Sequence, residues 1–251
     1  MTKLFGLLLS ALLAGCSTVS VPVPVPNNGH TAHLTLNVNE DVKRGTVLVL
    51  NGCDGPQGQH YRNWASYIAD LGYNTIIVDS FSSRGYSSIC GTNKTARYSF
   101  DAVSDVQSAG TWVKQQQWSN GKIVVIGFSV GGLTALLANT VNDRPVFNGA
   151  ISYYPNCIFI KDNAPVPVPI QVHIGTADEW APVSQCQDLA QSKNFSKVEF
   201  YFYQNAHHMF DGHLTGAARC YFGATCRYEP NGDAANRSKE RVKKFLKENL
   251  T

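Results

Sequence analysis

The run Ile123-Val124-Val125-Ile126-Gly127-Phe128-Ser129-Val130-Gly131-Gly132-Leu133 decides the fold of this chain. Its first four residues are aliphatic and all β-branched, with Val124 and Val125 side by side, and none is polar. That pattern belongs to a strand covered on both faces, not to one with a wet side. Gly127-Phe128-Ser129-Val130-Gly131 then reads G-x-S-x-G, and an apolar helical stretch follows over 133–139. A serine between such a strand and helix sits on a sharp, strained turn that lifts its oxygen clear of the sheet. Small residues on either side let the two backbones approach. The plainer reading is a serine in an ordinary βα turn.

Working outward, further short β-branched runs fall at 34–38, 46–50, 75–79, 122–127, 149–153, 170–174 and 197–203. Helical spacing separates them. Trp64, Ile68 and Leu71 share one face of a helix over 61–71, and Val103, Val106, Gly110 and Val113 one face over 100–118. Helices are also predicted over 133–139, 183–193 and 234–249, the last carrying Val242, Phe245, Leu246 and Leu250 on one side. Strand and helix alternating over more than 200 residues predict an α/β fold, a mostly parallel central sheet covered by helices on both faces. No composition shift divides 32–251, which reads as one domain.

A nucleophilic serine needs a base, and the base needs an orienting acid. In this class of fold they follow in the order Ser, Asp or Glu, His. The strand 170–174 leads into Gly175-Thr176-Ala177-Asp178, which makes Asp178 the candidate acid, with Glu179 its rival and a helix cap the plainer role. The strand 197–203 leads into His207 and His208, candidates for the base. All three groups fall at carboxyl ends of strands, where open α/β sheets build their sites. His207, His208 and His213 lack a zinc spacing and a fourth ligand, so no metal is expected, and no cofactor motif is read. His30, His33, His60 and His173 read as ordinary surface or core histidines.

Composition narrows the classes. Of 251 residues 43% are hydrophobic, which excludes general disorder, and a net charge of +3 is too small for an electrostatic nucleic-acid binder. Seven cysteines is an odd count. Lys3, an apolar stretch over 4–14 and Gly15-Cys16 read as a signal peptide over 1–15, too short to span a bilayer. Leu13-Ala14-Gly15-Cys16 resembles the lipobox of bacterial lipoproteins, which makes Cys16 a lipidation site and the cell envelope the compartment. Ser17 in the next position resembles the sorting pattern for the outer membrane, so the expected place is its periplasmic face. The Val-Pro repeat over 21–26 reads as an extended spacer within a 16–31 linker. Six cysteines remain for the oxidising compartment. Proximity of the loops predicts the pairs Cys53–Cys90, Cys157–Cys186 and Cys220–Cys226.

These residues together resemble the dienelactone hydrolase family of the α/β-hydrolase superfamily, from about Thr46 to Leu250. Asn51-Gly52-Cys53-Asp54-Gly55 is similar to the family's His-Gly-Cys-Gly-Gly loop. Trp64-Ala65, Leu71-Gly72-Tyr73, Val78-Asp79-Ser80-Phe81 and Arg84-Gly85 match its next segment. Ala206-His207-His208-Met209-Phe210-Asp211 is similar to its Ala-x-His-x-Phe-Asp motif. The resemblance implies an α/β-hydrolase fold, His208 as base and Asp178 as acid. It implies backbone N–H groups of Val130 and Cys53 for the oxyanion, and Arg84 for a substrate carboxylate, with a loop-holding role for Arg84 as the equal alternative. Two departures stand out. Ser129 replaces the cysteine of the family's best-known lactone hydrolases, and Asn51 replaces the usual His. The expected function is a serine hydrolase of a small ester or lactone. The alternative is a non-catalytic envelope lipoprotein that binds through the same scaffold.

Overall fold

The computed structural model describes residues 20–26, 28–141, 145–220 and 224–251. The signal segment and Cys16 lie outside the described residues. Among the described residues no helix is long and apolar enough to cross a membrane.

Eight strands form one sheet: β1 (Ser20–Pro24), β2 (Thr31–Asn37), β3 (Arg44–Leu50), β4 (Asn74–Asp79), β5 (Ser119–Phe128), β6 (Gly149–Tyr153), β7 (Ile170–Gly175) and β8 (Glu199–Tyr203), in the order β1-β2-β4-β3-β5-β6-β7-β8. From β3 to β8 every pairing is parallel, while β2 lies antiparallel to both β1 and β4. The helices are α1 (Gln59–Asp70), α2 (Thr95–Asp101), α3 (Val103–Lys114), α4 (Val130–Thr140), α5 (Val183–Ala190) and α6 (Gly232–Leu250). A separate hairpin joins β9 (Gly216–Arg219) to β10 (Thr225–Tyr228).

Alternation along the central strands feeds two cores. Val47, Val49, Val124 and Ile126 pack with Trp64 and Ile68 of α1 and Val242, Phe245 and Leu246 of α6. Leu48, Leu50, Ile123 and Val125 pack with Val106, Ala109 and Val113 of α3. Both sets are buried, so β3 over 47–50 and β5 over 123–128 are apolar without interruption because each face meets helices.

Three expectations are corrected. The Val-Pro repeat forms the edge strand β1 where a spacer was expected. Val23 and Val25 are buried, and Val25 N donates to His30 O at 3.0 Å. With period two, the valines face β2 and the core while Pro22 and Pro24 turn their missing N–H groups to the open edge. The single helix expected over 100–118 is two helices broken at Ala102, because Arg84 and Ser104 both donate to the Asp101 carbonyl. The β9–β10 hairpin falls where no strand was expected, since its four-residue strands carry little apolar signal.

Candidate active site

Ser129 stands between β5 and α4 with φ 54° and ψ −113°. A non-glycine residue there is strained, at a cost of about 1–3 kcal/mol. The surroundings enforce it: Ser129 N donates to Tyr153 O at 3.0 Å and Ser129 O accepts from Leu133 N at 3.0 Å. Gly127 is obligatory, since a Cβ there would lie 2.0 Å from the Gly131 carbonyl oxygen. Among the described residues the other non-glycine residues with positive φ are Tyr154, Asn205 and Met209. Two of them flank the histidines and the third lines the cavity, so backbone strain concentrates at this end of the sheet.

Asp178 follows β7 and is buried. Its Oδ2 accepts from His208 Nδ1 at 2.8 Å. Its Oδ1 accepts from the backbone amides of Trp180 and Ala181, both at 2.8 Å. One oxygen thus orients the histidine and the other holds the turn over 180–181, while α5 begins at Val183 with Pro182 at its cap, so the helix-cap reading of Asp178 is corrected to a turn-holding one. The loop carrying Asp178 presses on the loop carrying the histidines: Ala177 N donates to Ala206 O at 3.0 Å. A Cβ on Gly175 would lie 2.0 Å from that same oxygen. Glu179 points elsewhere, accepting from Arg227 N at 2.7 Å. His208, not His207, meets Asp178.

Bonding through Nδ1 leaves the Nε2 side of His208 available to the cavity that it shares with Ser129. That cavity measures about 270 Å³. Trp180 stacks on the His208 ring, centroids 5.6 Å apart, and Tyr154 packs against it at 4.5 Å. Neither aromatic was anticipated from sequence. Trp180 sits two residues beyond the acid, and that spacing was the available signal. Larger hollows of about 690 and 420 Å³, by α5 and by β2, contain none of Ser129, Asp178 and His208.

Cys53 and Val130 line the same hollow as Ser129. The Val130 amide is the first of α4, one of the helix-start donors that have no intrahelical acceptor. The Cys53 loop is held from several sides. Gly52 N donates to Tyr61 Oη at 2.8 Å, Tyr61 donates to Asp54, and Ile89 N donates to Cys53 O at 2.8 Å. Burial and the nearby Asp54 carboxylate push the Tyr61 phenol well above its ordinary value, so it remains a donor. Asn51 is buried, its Nδ2 donating to Gly52 O at 2.7 Å. The disulfides are Cys53–Cys90, Cys157–Cys186 and Cys220–Cys226, with Cα separations of 4.8, 5.1 and 5.7 Å. The first ties the Cys53 loop to the segment after β4, and the third closes the hairpin.

Arg84 is placed elsewhere. Its guanidinium donates to both Asp105 oxygens, at 2.5 and 3.0 Å, and to Ser80 O at 2.8 Å. It does not line the Ser129 cavity. The carboxylate-binding role is therefore corrected to the loop-holding one. Among the described residues no group of three or more His, Cys, Asp or Glu could hold a metal ion.

A second cluster was missed from sequence. Asp211 Oδ2 lies 3.2 Å from His60 Nε2 and accepts from Trp64 Nε1 at 2.7 Å. Burial pushes the Asp211 carboxyl up, but the charge of His60 and hydrogen bonds from His60, Trp64 and Tyr154 outweigh it and hold it below 3.8. Burial likewise pulls the His60 imidazole down, but Asp211, with help from Asp54, leaves it above 6.5. His60 and Trp64 are four residues apart on one face of α1, which was the readable half of the signal.

The dienelactone hydrolase family model matches residues 33–250. The chain belongs to that family. Membership makes it a hydrolase that acts on ester bonds, a lactone being a cyclic ester. The carboxymethylenebutenolidase of Pseudomonas putida is 23% identical over 176 residues, spanning 62% of this chain and 73% of that protein. Solved structures share the fold. A dienelactone hydrolase-like promiscuous phosphotriesterase from metagenomic libraries superposes with a TM-score of 0.72 at 17% identity, covering 93% of this chain and 99% of the other. An esterase of Pyrococcus furiosus gives 0.66 at 17% identity, covering 92% and 91%.

Proposed function

We propose that this dienelactone hydrolase-family protein is a serine esterase or lactonase working through an acyl-enzyme, with Ser129 as nucleophile, His208 as general base and Asp178 as orienting acid. One observation carries the reading: a strained serine and a histidine held by a buried carboxylate face one cavity. Ser129 Oγ attacks the carbonyl carbon and its proton passes to His208. Asp178 keeps the Nδ1–H tautomer and stabilises the imidazolium. The tetrahedral oxyanion accepts from the Val130 and Cys53 amides, where loss of one donor costs about 3–4 kcal/mol of transition-state stabilisation. The alkoxide leaves with the proton from His208. Water, deprotonated by His208, then attacks the acyl carbon and frees Ser129 and the carboxylic acid.

Cys16 is proposed to carry lipid and hold the domain at the periplasmic face of the outer membrane. The lipobox-like segment supports this, and three disulfides fit an oxidising compartment. Because β1 begins at Ser20, the tether from Cys16 to the sheet is short.

A fluorophosphonate that labels wild type and leaves Ser129→Ala unlabelled is the expected result. Equal labelling of both proteins, or of neither, overturns the catalytic assignment.

A further inference from the structure

The Ser129 cavity has an uneven chemical lining. Tyr61, Tyr154, Trp180, Met209 and Leu214 present aromatic or aliphatic surface to it. Leu214 remains 55% exposed at the rim. The charged residue in the lining besides the titratable His208 is Asp54, a carboxylate. No lysine or arginine lines this cavity among the described residues. Arg84, which the family resemblance offers for a carboxylate, is sealed against Asp105, with side-chain exposures of 7% and 0%.

A carboxylate brought into such a cavity loses its water, finds no cation and meets Asp54. Burying an unpaired charge is among the costliest acts a binding site can be asked to perform. A methyl or methylene group in the same place gains by leaving water. The hairpin that supplies one wall is fastened in place, so rearrangement offers little relief: Trp180 Nε1 donates to Arg227 O at 3.1 Å, Glu229 N to His208 O at 3.3 Å, and Cys220 is bonded to Cys226.

We infer that the site selects esters whose acyl or alkoxy group is uncharged and apolar, and rejects those carrying a carboxylate within the cavity. The inference rests on the serine hydrolase reading above. It moves the substrate away from acidic lactones towards neutral esters, with Asp54 and the absence of a lining cation as the determinants.

The test uses two alkyl fluorophosphonates of equal length on the purified full chain, one ending in methyl and one in carboxylate. In both, the Ser129 Oγ–P bond forms, fluoride leaves and the serine proton passes to His208. The methyl probe is expected to label at least about a hundredfold faster. Leu214→Arg, which puts a cation at the rim, should narrow that ratio by about tenfold, and Asp54→Asn by a smaller factor. Equal labelling rates, or faster labelling by the carboxylate probe, overturn the inference while leaving the hydrolase reading intact. Labelling by neither probe overturns the hydrolase reading, and the inference with it. p-Nitrophenyl hexanoate against the p-nitrophenyl monoester of adipic acid should give the same order in kcat/KM.

Discussion

Two aspartate–histidine pairs lie close together in this protein, and they are built differently. Asp178 bonds His208 through Nδ1, and the far side of that ring opens to the cavity holding Ser129. Asp211 meets His60 through Nε2, and the His60 ring is walled by Tyr61 and Phe128, centroids 5.4 and 4.9 Å away. Residue types are the same in both pairs. What separates them is the nitrogen that is used and what the other side of the ring faces. The first is the pair we propose for proton transfer. The second joins α1 to the segment just after His208 and acts on the fold.

The sharpest way to break that contrast is to remove the second carboxylate. Asp211→Ala leaves Trp64 Nε1 and the buried His60 ring without their acceptor, and should cost about 3–5 kcal/mol of stability in urea melts. Catalysis per folded molecule should survive. A loss of turnover with an unchanged urea midpoint would show that the two pairs are not distinct.

A smaller effect separates them by pH. The folded-state pKa of His60 is raised, so its contribution is complete below 6.5 and is lost as pH rises through the raised value. Asp211 is shifted down, so its contribution is complete above 3.8 and is lost as pH falls through the lowered value. The pair therefore stabilises most between 3.8 and 6.5. His60→Gln should cost more stability at about pH 5.5 than at about pH 9. A cost that is flat or rises with pH would mean that His60 is buried neutral.

Much of this was legible in the chain itself. The central strands were readable because both their faces are covered, which erases polar alternation. Ser129, Asp178 and His208 were readable because each follows a strand and the order is constrained. The six paired cysteines were readable because their loops share one end of the sheet. The failures have physical causes. In the Val-Pro repeat, proline reads as a breaker, yet it is harmless where the missing N–H would have faced an open edge, and only the partner strand reveals which edge that is. Arg84 was assigned by resemblance, but Asp105 lies 21 residues away and nothing local marks the pairing. Asp211 and Trp64 are 147 residues apart, so their bond exists only once α1 and the histidine loop are packed.

The contrast between the pairs reduces to one comparison: kcat for a single p-nitrophenyl ester, measured on His208→Ala and His60→Ala side by side, with folded fractions matched. Loss of the base should lower kcat by about 10⁴-fold or more, while loss of His60 should lower it by less than about tenfold. Equal losses, or the larger loss at His60, would contradict the assignment of chemistry to His208.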